Sequence, residues 1–246
     1  MKTKLLIFIF VVIAYAFFAF GSPDENTIKR SFTINQEGTV RLETLRGDIQ
    51  VSTHGGNEVK LEAIVSTGDD DRAEFEKVKL EFEADANSVI IYTSPNIISL
   101  KADIDYYLKV PEKLKSLRLS TRSGKIKTRG TYRDIDLKTA NGEIDFSGEF
   151  TGCKLRSANG DIDVYMRDTL KGDVTVESTN GSIKIAFKPG SGFAVEGKTL
   201  TGSIRSEFDT TTTSDLEGSK IKGTINDGTY KLNLATVNGN IQLLRQ

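Results

Sequence analysis

The sequence predicts an all-β chain: a parallel β-solenoid, or β-helix-like stack of coils of 18 to 21 residues, preceded by a less regular β-rich N-terminal part. Three observations carry that prediction. A six-residue phrase (Ser or Thr, any residue, a usually small polar residue, Gly, a polar residue, Ile) recurs at Thr44–Ile49, Thr121–Ile126, Thr139–Ile144, Ser157–Ile162, Ser178–Ile183, Thr199–Ile204 and Thr236–Ile241. Its glycines at 124, 142, 160, 181 and 202 are separated by 18, 18, 21 and 21 residues, the signature of one unit stacked on copies of itself. On both sides of each glycine, apolar or small residues alternate with Lys, Asp, Glu and Arg at period two, as in strands with one buried face.

The elements follow in chain order. Met1–Lys4 carries two lysines, Leu5–Phe20 is uninterrupted apolar sequence, and Ala19-Phe20-Gly21 places small residues before a cut. Residues 1–21 therefore read as a signal peptide removed before Ser22. An uncleaved anchor is the rival reading, and the apolar run is short for a span of ~20 residues. No cysteine follows the run, which argues against a lipoprotein.

In residues 22–110, strands are expected at Ile28–Ile34, Thr39–Leu45, Ile49–Thr53, Glu58–Ser66, Val78–Glu83, Ser88–Thr93 and Tyr106–Val110. Gly55-Gly56-Asn57 and Asp85–Asn87 are turn signals, and Asp69–Lys77 could form a short helix. Pro111 ends a strand, so a soft boundary separates this β-rich region from a repeat solenoid over 111–246, the two also being readable as one domain.

Within the repeats, the position five before the glycine is Leu42, Leu119, Leu137, Leu155, Val176 or Leu234, with Gly197 the exception. The Asn-Gly pairs at 141–142, 159–160, 180–181 and 238–239 suit a positive φ at glycine. Such pairs commonly mark hairpins, but identical inward residues at identical offsets require stacking, isoleucine on isoleucine. A coil contour of only ~60–70 Å leaves an interior filled by Leu, Ile and Thr, without a ligand cavity. With coils ~4.8 Å apart, Lys127 would neighbour Asp145 and Asp163 would neighbour Lys184, leaving Asp145–Asp163 as the like-charged step. The last copy, Val237–Leu244, would end the chain on an edge strand needing protection.

Gly38-Thr-Val-Arg-Leu-Glu-Thr-Leu-Arg-Gly-Asp-Ile-Gln-Val51, Asp105-Tyr-Tyr-Leu-Lys-Val-Pro111 leading into Leu117–Ile126, and the serial Asn-Gly-Glu/Asp-Ile turns together resemble the bacterial "putative adhesin" family of domains of unknown function, kin to head-domain adhesins. The resemblance spans essentially the whole chain after the leader. It implies an exported β-repeat protein of the cell envelope, and it carries no catalytic residues with it.

The chemistry in the chain is sparse. The formal charge of −1, or −3 without Lys2 and Lys4, offers no basic face for nucleic acid. Tryptophan is absent, which removes the commonest sugar-stacking side chain, although seven tyrosines remain. His54 is the only histidine and reads as a loop residue; Cys153, the only cysteine, can form no internal disulfide and has no activating base nearby. Glu143, Asp145, Asp161 and Asp163 should cluster on two adjacent coils, where paired acids could run glycoside hydrolysis or clustered oxygens hold calcium. Lysines one coil to either side favour a solvated ladder instead. Asn180-Gly-Ser182 matches a glycosylation sequon but lies in a repeat turn.

The expectation is an exported, non-enzymatic, structural or adhesive protein (periplasmic, outer-surface or secreted) with no catalytic, metal or cofactor residues assigned. Its expected partner is an envelope polysaccharide or protein surface, not nucleic acid, and it meets the membrane only through an uncleaved leader. The alternative is a carbohydrate-active solenoid enzyme using Asp145, Asp161 or Asp163. Lys188–Phe193 and Asp209–Asp215, where the pattern breaks, are the expected places for binding.

Overall fold

The computed structural model describes residues 27–66, 78–93 and 102–246. The expected leader and the expected helix at Asp69–Lys77 lie outside these residues. Period-two alternation becomes strand throughout, in two large sheets. One sheet runs, in spatial order, β1 (Thr27–Thr33), β4 (Glu58–Ser66), β7 (Asp103–Pro111), β3 (Ile49–His54), β9 (Ile126–Thr131), β11 (Ile144–Glu149), β13 (Ile162–Met166), β15 (Ile183–Phe187), β21 (Ile241–Arg245), β17 (Ile204–Ser206). The other runs β18 (Thr211–Asp215), β19 (Gly218–Ile225), β16 (Phe193–Thr201), β20 (Tyr230–Asn238), β14 (Asp173–Asn180), β12 (Gly152–Asn159), β10 (Asp134–Asn141), β8 (Ser116–Ser123), β2 (Thr39–Arg46), β6 (Ser88–Thr93), β5 (Leu80–Ala84).

One strand from each sheet makes a rung, and the rungs stack in parallel. The fold class is the predicted solenoid, closed at both ends by antiparallel strands: β4 and β1 beyond β7, β5 beyond β6, β19 and β18 beyond β16. The N-terminal strands join the same sheets as the repeats, since β2 pairs with β8 and β3 with β9.

The rungs do not follow chain order, which corrects the expectation that each coil lies on its predecessor. The rung β20/β21 lies between β14/β15 and β16/β17, so the last copy is interior and not an edge. β16 cannot take that slot because its far side pairs antiparallel with β19. At the other end, β2/β3 is flanked by β6/β7, which comes later in the chain.

The core is one continuous cluster between the sheets. Ile49, Ile126, Ile144, Ile162, Ile183, Ile241 and Ile204 form one register column, and all are buried. Larger rings fill wider stretches: Phe146 packs against Phe150 at 5.4 Å, and Phe187 stacks on Phe193 at 4.5 Å. Phe208 meets both Phe187 and Phe193 edge-on and carries the Arg245 guanidinium 5.0 Å from its centroid, closing the C-terminal end.

The corner bears out the sequence reading at Gly47, Gly124, Gly160 and Gly202, whose φ values of 109°, 150°, 155° and 151° lie in the left-handed region, but not at every glycine of the phrase. Gly142, Gly181 and Gly239 lie outside the left-handed φ window, so conformational freedom is not what selects glycine there. Close approach is: a Cβ on Gly142 would stand 1.9 Å from the Gly124 carbonyl oxygen, and one on Gly181 2.1 Å from that of Gly160. The Ser or Thr three residues earlier has a matching task. Thr139, Ser157, Ser178 and Thr236 donate to the carbonyls of Gly124, Gly142, Gly160 and Gly181 at 3.1, 3.0, 3.2 and 2.9 Å. Each hydroxyl thereby satisfies a carbonyl of the neighbouring rung. Outside the corner the asparagines form an amide ladder: Asn159 to Asn141 at 2.9 Å, Asn180 to Asn159 at 2.8 Å, Asn238 to Asn180 at 2.7 Å.

One buried hydroxyl has no such task. Thr128 stands fully buried in the column of Val51 and Phe146, and its Oγ1 has no hydrogen-bond partner. Replacing it by the isosteric valine is expected to stabilise the protein by about 1 kcal/mol, since an unpaired buried hydroxyl carries only its desolvation cost. A higher urea midpoint for Thr128→Val checks this; a lower one would show that the hydroxyl is satisfied.

Candidate functional site

The outer face of the ten-stranded sheet gathers the candidate acids. Outward positions alternate with the isoleucine column, so residues one after each isoleucine share a row crossing the strands. In that row Lys127 pairs with Asp145, Asp145 with Asp163, and Asp163 with Lys184, as the spacing predicted. Lys127 reaches Asp145 at 3.2 Å, and at the corner Lys125 reaches Glu143 at 2.7 Å. Asp161 is occupied as an acceptor for the Ser182 backbone N–H at 2.7 Å.

Asp163 feels the like-charged step. Partial burial raises its pKa above the usual carboxylate range; Lys184 opposes that, while Asp161, Asp145 and Glu143 add to it. With the folded pKa above the unfolded one, ionised Asp163 disfavours the fold, and the penalty disappears as pH falls through the folded value to below the unfolded one. Asp163→Asn is therefore expected to be more stable than the parent at pH 7 and to converge with it near pH 3. A stability gap independent of pH would contradict this assignment.

The acids do not converge on a cleft. A concavity of about 580 Å³ on this face lies at the other end, over Gln50, Ser52, Lys60, Tyr107 and Lys109. A second groove of about 590 Å³ lies on the opposite sheet between Glu177, Glu196, Lys198 and Lys222. Among the described residues no group of three or more His, Cys, Asp or Glu side chains is placed to hold a metal ion.

The two singular residues are structural in their contacts. His54 accepts from the Gly56 N–H at Nδ1 (3.0 Å) and so donates from Nε2 to the Glu58 carbonyl at 2.7 Å, closing the β3–β4 turn. Cys153 faces the core from β12; burial, reinforced by the charge of Asp136, pushes its thiol pKa far up and away from thiolate chemistry.

Neither pattern break is a free loop. Ser191 is buried, donates to the Lys188 carbonyl at 2.9 Å and accepts from the Leu170 N–H, while Asn226 donates to the Ser191 carbonyl at 2.7 Å. Residues 188–192 are thus a packed turn leading into buried Phe193. Within the other break, Asp209–Asp215, residues Thr211–Asp215 form the edge strand β18, held by antiparallel pairing with β19.

Sequence reasoning found the acid–lysine ladder but missed the row that crosses β1, β4 and β7. Which cations and hydroxyls stand side by side depends on the register of β1, β4 and β7, strands outside the repeat.

The Toastrack DUF4097 family model matches residues 39–244. Among solved structures, a "putative cell adhesion protein" from Clostridium sporogenes aligns at 14% identity and a TM-score of 0.47, covering 89% of this chain and 100% of that one. A "putative adhesin" from Bacteroides fragilis aligns at 12% identity and a TM-score of 0.41, covering 90% and 99%. No curated protein shows significant similarity to the chain.

Proposed function

The chain belongs to the Toastrack DUF4097 family, and on that premise we propose a non-enzymatic β-repeat protein, exported to the bacterial envelope, whose rigid outer faces serve a structural or adhesive role. The observation that carries the reading is the absorption of the repeat's chemistry by the fold. Its glycines, hydroxyls and asparagines hold rung to rung, and its acids are flanked by lysines on an open face. What remains for function is the outer surface of a stiff scaffold, with an envelope polysaccharide or protein surface as partner. The lysine-bearing apolar leader supports export.

The test expresses the full chain in a bacterial host and follows its fate. The expected result is an envelope or secreted species beginning at Ser22, which retains bacterial cells or envelope polysaccharide when immobilised. A cytoplasmic product retaining Met1 would overturn export, and failure to retain either would overturn adhesion. Incubation with a polysaccharide panel should release no new reducing ends. Release by the parent but not by Asp163→Ala would establish the enzyme instead.

A further inference from the structure

On the outer face of the ten-stranded sheet, the row three residues after the isoleucine column differs from every alternating row. Its members, across successive strands, begin Ser31, Lys60, Lys109, Ser52, Arg129, Ser147 and continue to Tyr165. The row contains three cations and no acid. Lys60 stands directly opposite Lys109 on antiparallel strands, a like-charged pairing that costs stability. Lys60 has Glu58 at 3.3 Å, whereas among the described residues no carboxylate forms an ion pair with Lys109 or Arg129. Arg167 adds a further cation by donating from Nε to the Ser147 hydroxyl at 3.3 Å.

The short serines make notches between the long cations. Ser52 lies between Lys109 and Arg129; Ser147 lies between Arg129 and the Arg167 guanidinium. The two notches are two strands apart, roughly 9.6 Å along the solenoid axis. Each offers two cationic donors and a hydroxyl to one anionic group. The first opens into the 580 Å³ groove, where Gln50 adds an amide. Both tyrosines among the large exposed side chains lie here: Tyr107, 43% exposed, on the strand of Lys109, and Tyr165, 48% exposed, beside Ser147.

We propose that this row binds a linear anionic polysaccharide, its carboxylate or sulfate groups seated in the Ser52 and Ser147 notches and its sugar rings laid on Tyr107 and Tyr165. The site rests on the adhesive reading above and names its ligand class. Amide and hydroxyl donors with isolated tyrosine faces suit sugars, whereas a nucleic acid needs a continuous basic face that a chain of net charge −1 does not supply.

The test measures binding of the purified full chain to polygalacturonate, heparin, neutral dextran and oligo(dT) at 50 and 200 mM salt. Parent, Lys109→Ala/Arg129→Ala, Tyr165→Ala and, from the other sheet, Lys138→Ala are compared after confirming equal melting temperatures. Binding to polygalacturonate or heparin is expected, weakening with salt, with none to dextran. The double variant should bind at least roughly tenfold more weakly, the scale of a lost charge-assisted hydrogen bond, with Tyr165→Ala also impaired and Lys138→Ala unchanged. No binding to either anionic glycan, tighter binding to oligo(dT), or an unaffected double variant overturns the proposal. If the double variant still retains bacterial cells as the parent does, this site fails while the adhesive reading stands; if the parent retains none, the adhesive reading fails with it.

Discussion

Gly142→Ala is expected to cost on the order of 4 kcal/mol or more, enough to remove much of the stability of an ordinary domain. The added methyl would stand 1.9 Å from the Gly124 carbonyl oxygen and 2.6 Å from its carbon, both backbone atoms of the next rung. Neither can turn aside as a side chain could. Relief requires the rungs to part, which would lengthen the hydrogen bond from the Gly124 N–H to the Asn141 carbonyl at 2.9 Å and that from the Thr139 hydroxyl to the Gly124 carbonyl at 3.1 Å. Because Gly142 lies outside the left-handed φ window, the effect isolates close approach from backbone preference. Gly55→Ala is the comparison: nothing lies within 4 Å of where its methyl would stand, and a change below about 0.5 kcal/mol is expected. Urea denaturation of both variants decides the matter, and equal midpoints would refute the stacking account of the phrase.

Removal of residues 230–246 is expected to unfold the C-terminal cap. This segment supplies β20 and β21, and with them Leu232, Leu234, Ile241 and Leu243, all at most 3% exposed. Four such side chains represent roughly 6–12 kcal/mol of burial at 1.5–3 kcal/mol each. The loss is also topological. β16 and β17 would lose their only parallel neighbours, while β14 and β15 would become open edges. Stability in a stacked array is largely a sum of neighbour terms, so damage should be local. Amide exchange should rise to near-unprotected rates across residues 193–225 while the rungs of residues 116–166 stay protected. Persistent protection of β16 and β19 in the truncated chain would show that the inserted rung does not hold the cap.

The insertion is nearly legible in the chain's own pattern. The residue preceding the glycine is asparagine at 141, 159, 180 and 238, but threonine at 201. An unbroken amide ladder places 238 beside 180, as observed at 2.7 Å. Gly197 is a second signal. Where every other copy of the phrase carries Leu or Val, this one carries none, and Ile221 of β19 fills the space, its Cγ2 2.8 Å from where a Cβ would stand. A missing inward side chain marks the rung that a foreign strand covers. The acids of the candidate face follow the expected ladder because Lys127, Asp145, Asp163 and Lys184 belong to rungs that keep chain order.

Periodicity and alternation alone establish the rungs, their inward residues and the charge ladder, because those depend on spacings along one strand and between consecutive copies. The order of the end rungs, the capping strands and the cationic row depend on pairings between segments far apart in the chain. Such pairings are chosen by which edges and cavities remain to be filled once the rungs have formed, and the spacing of a local repeat does not encode that choice.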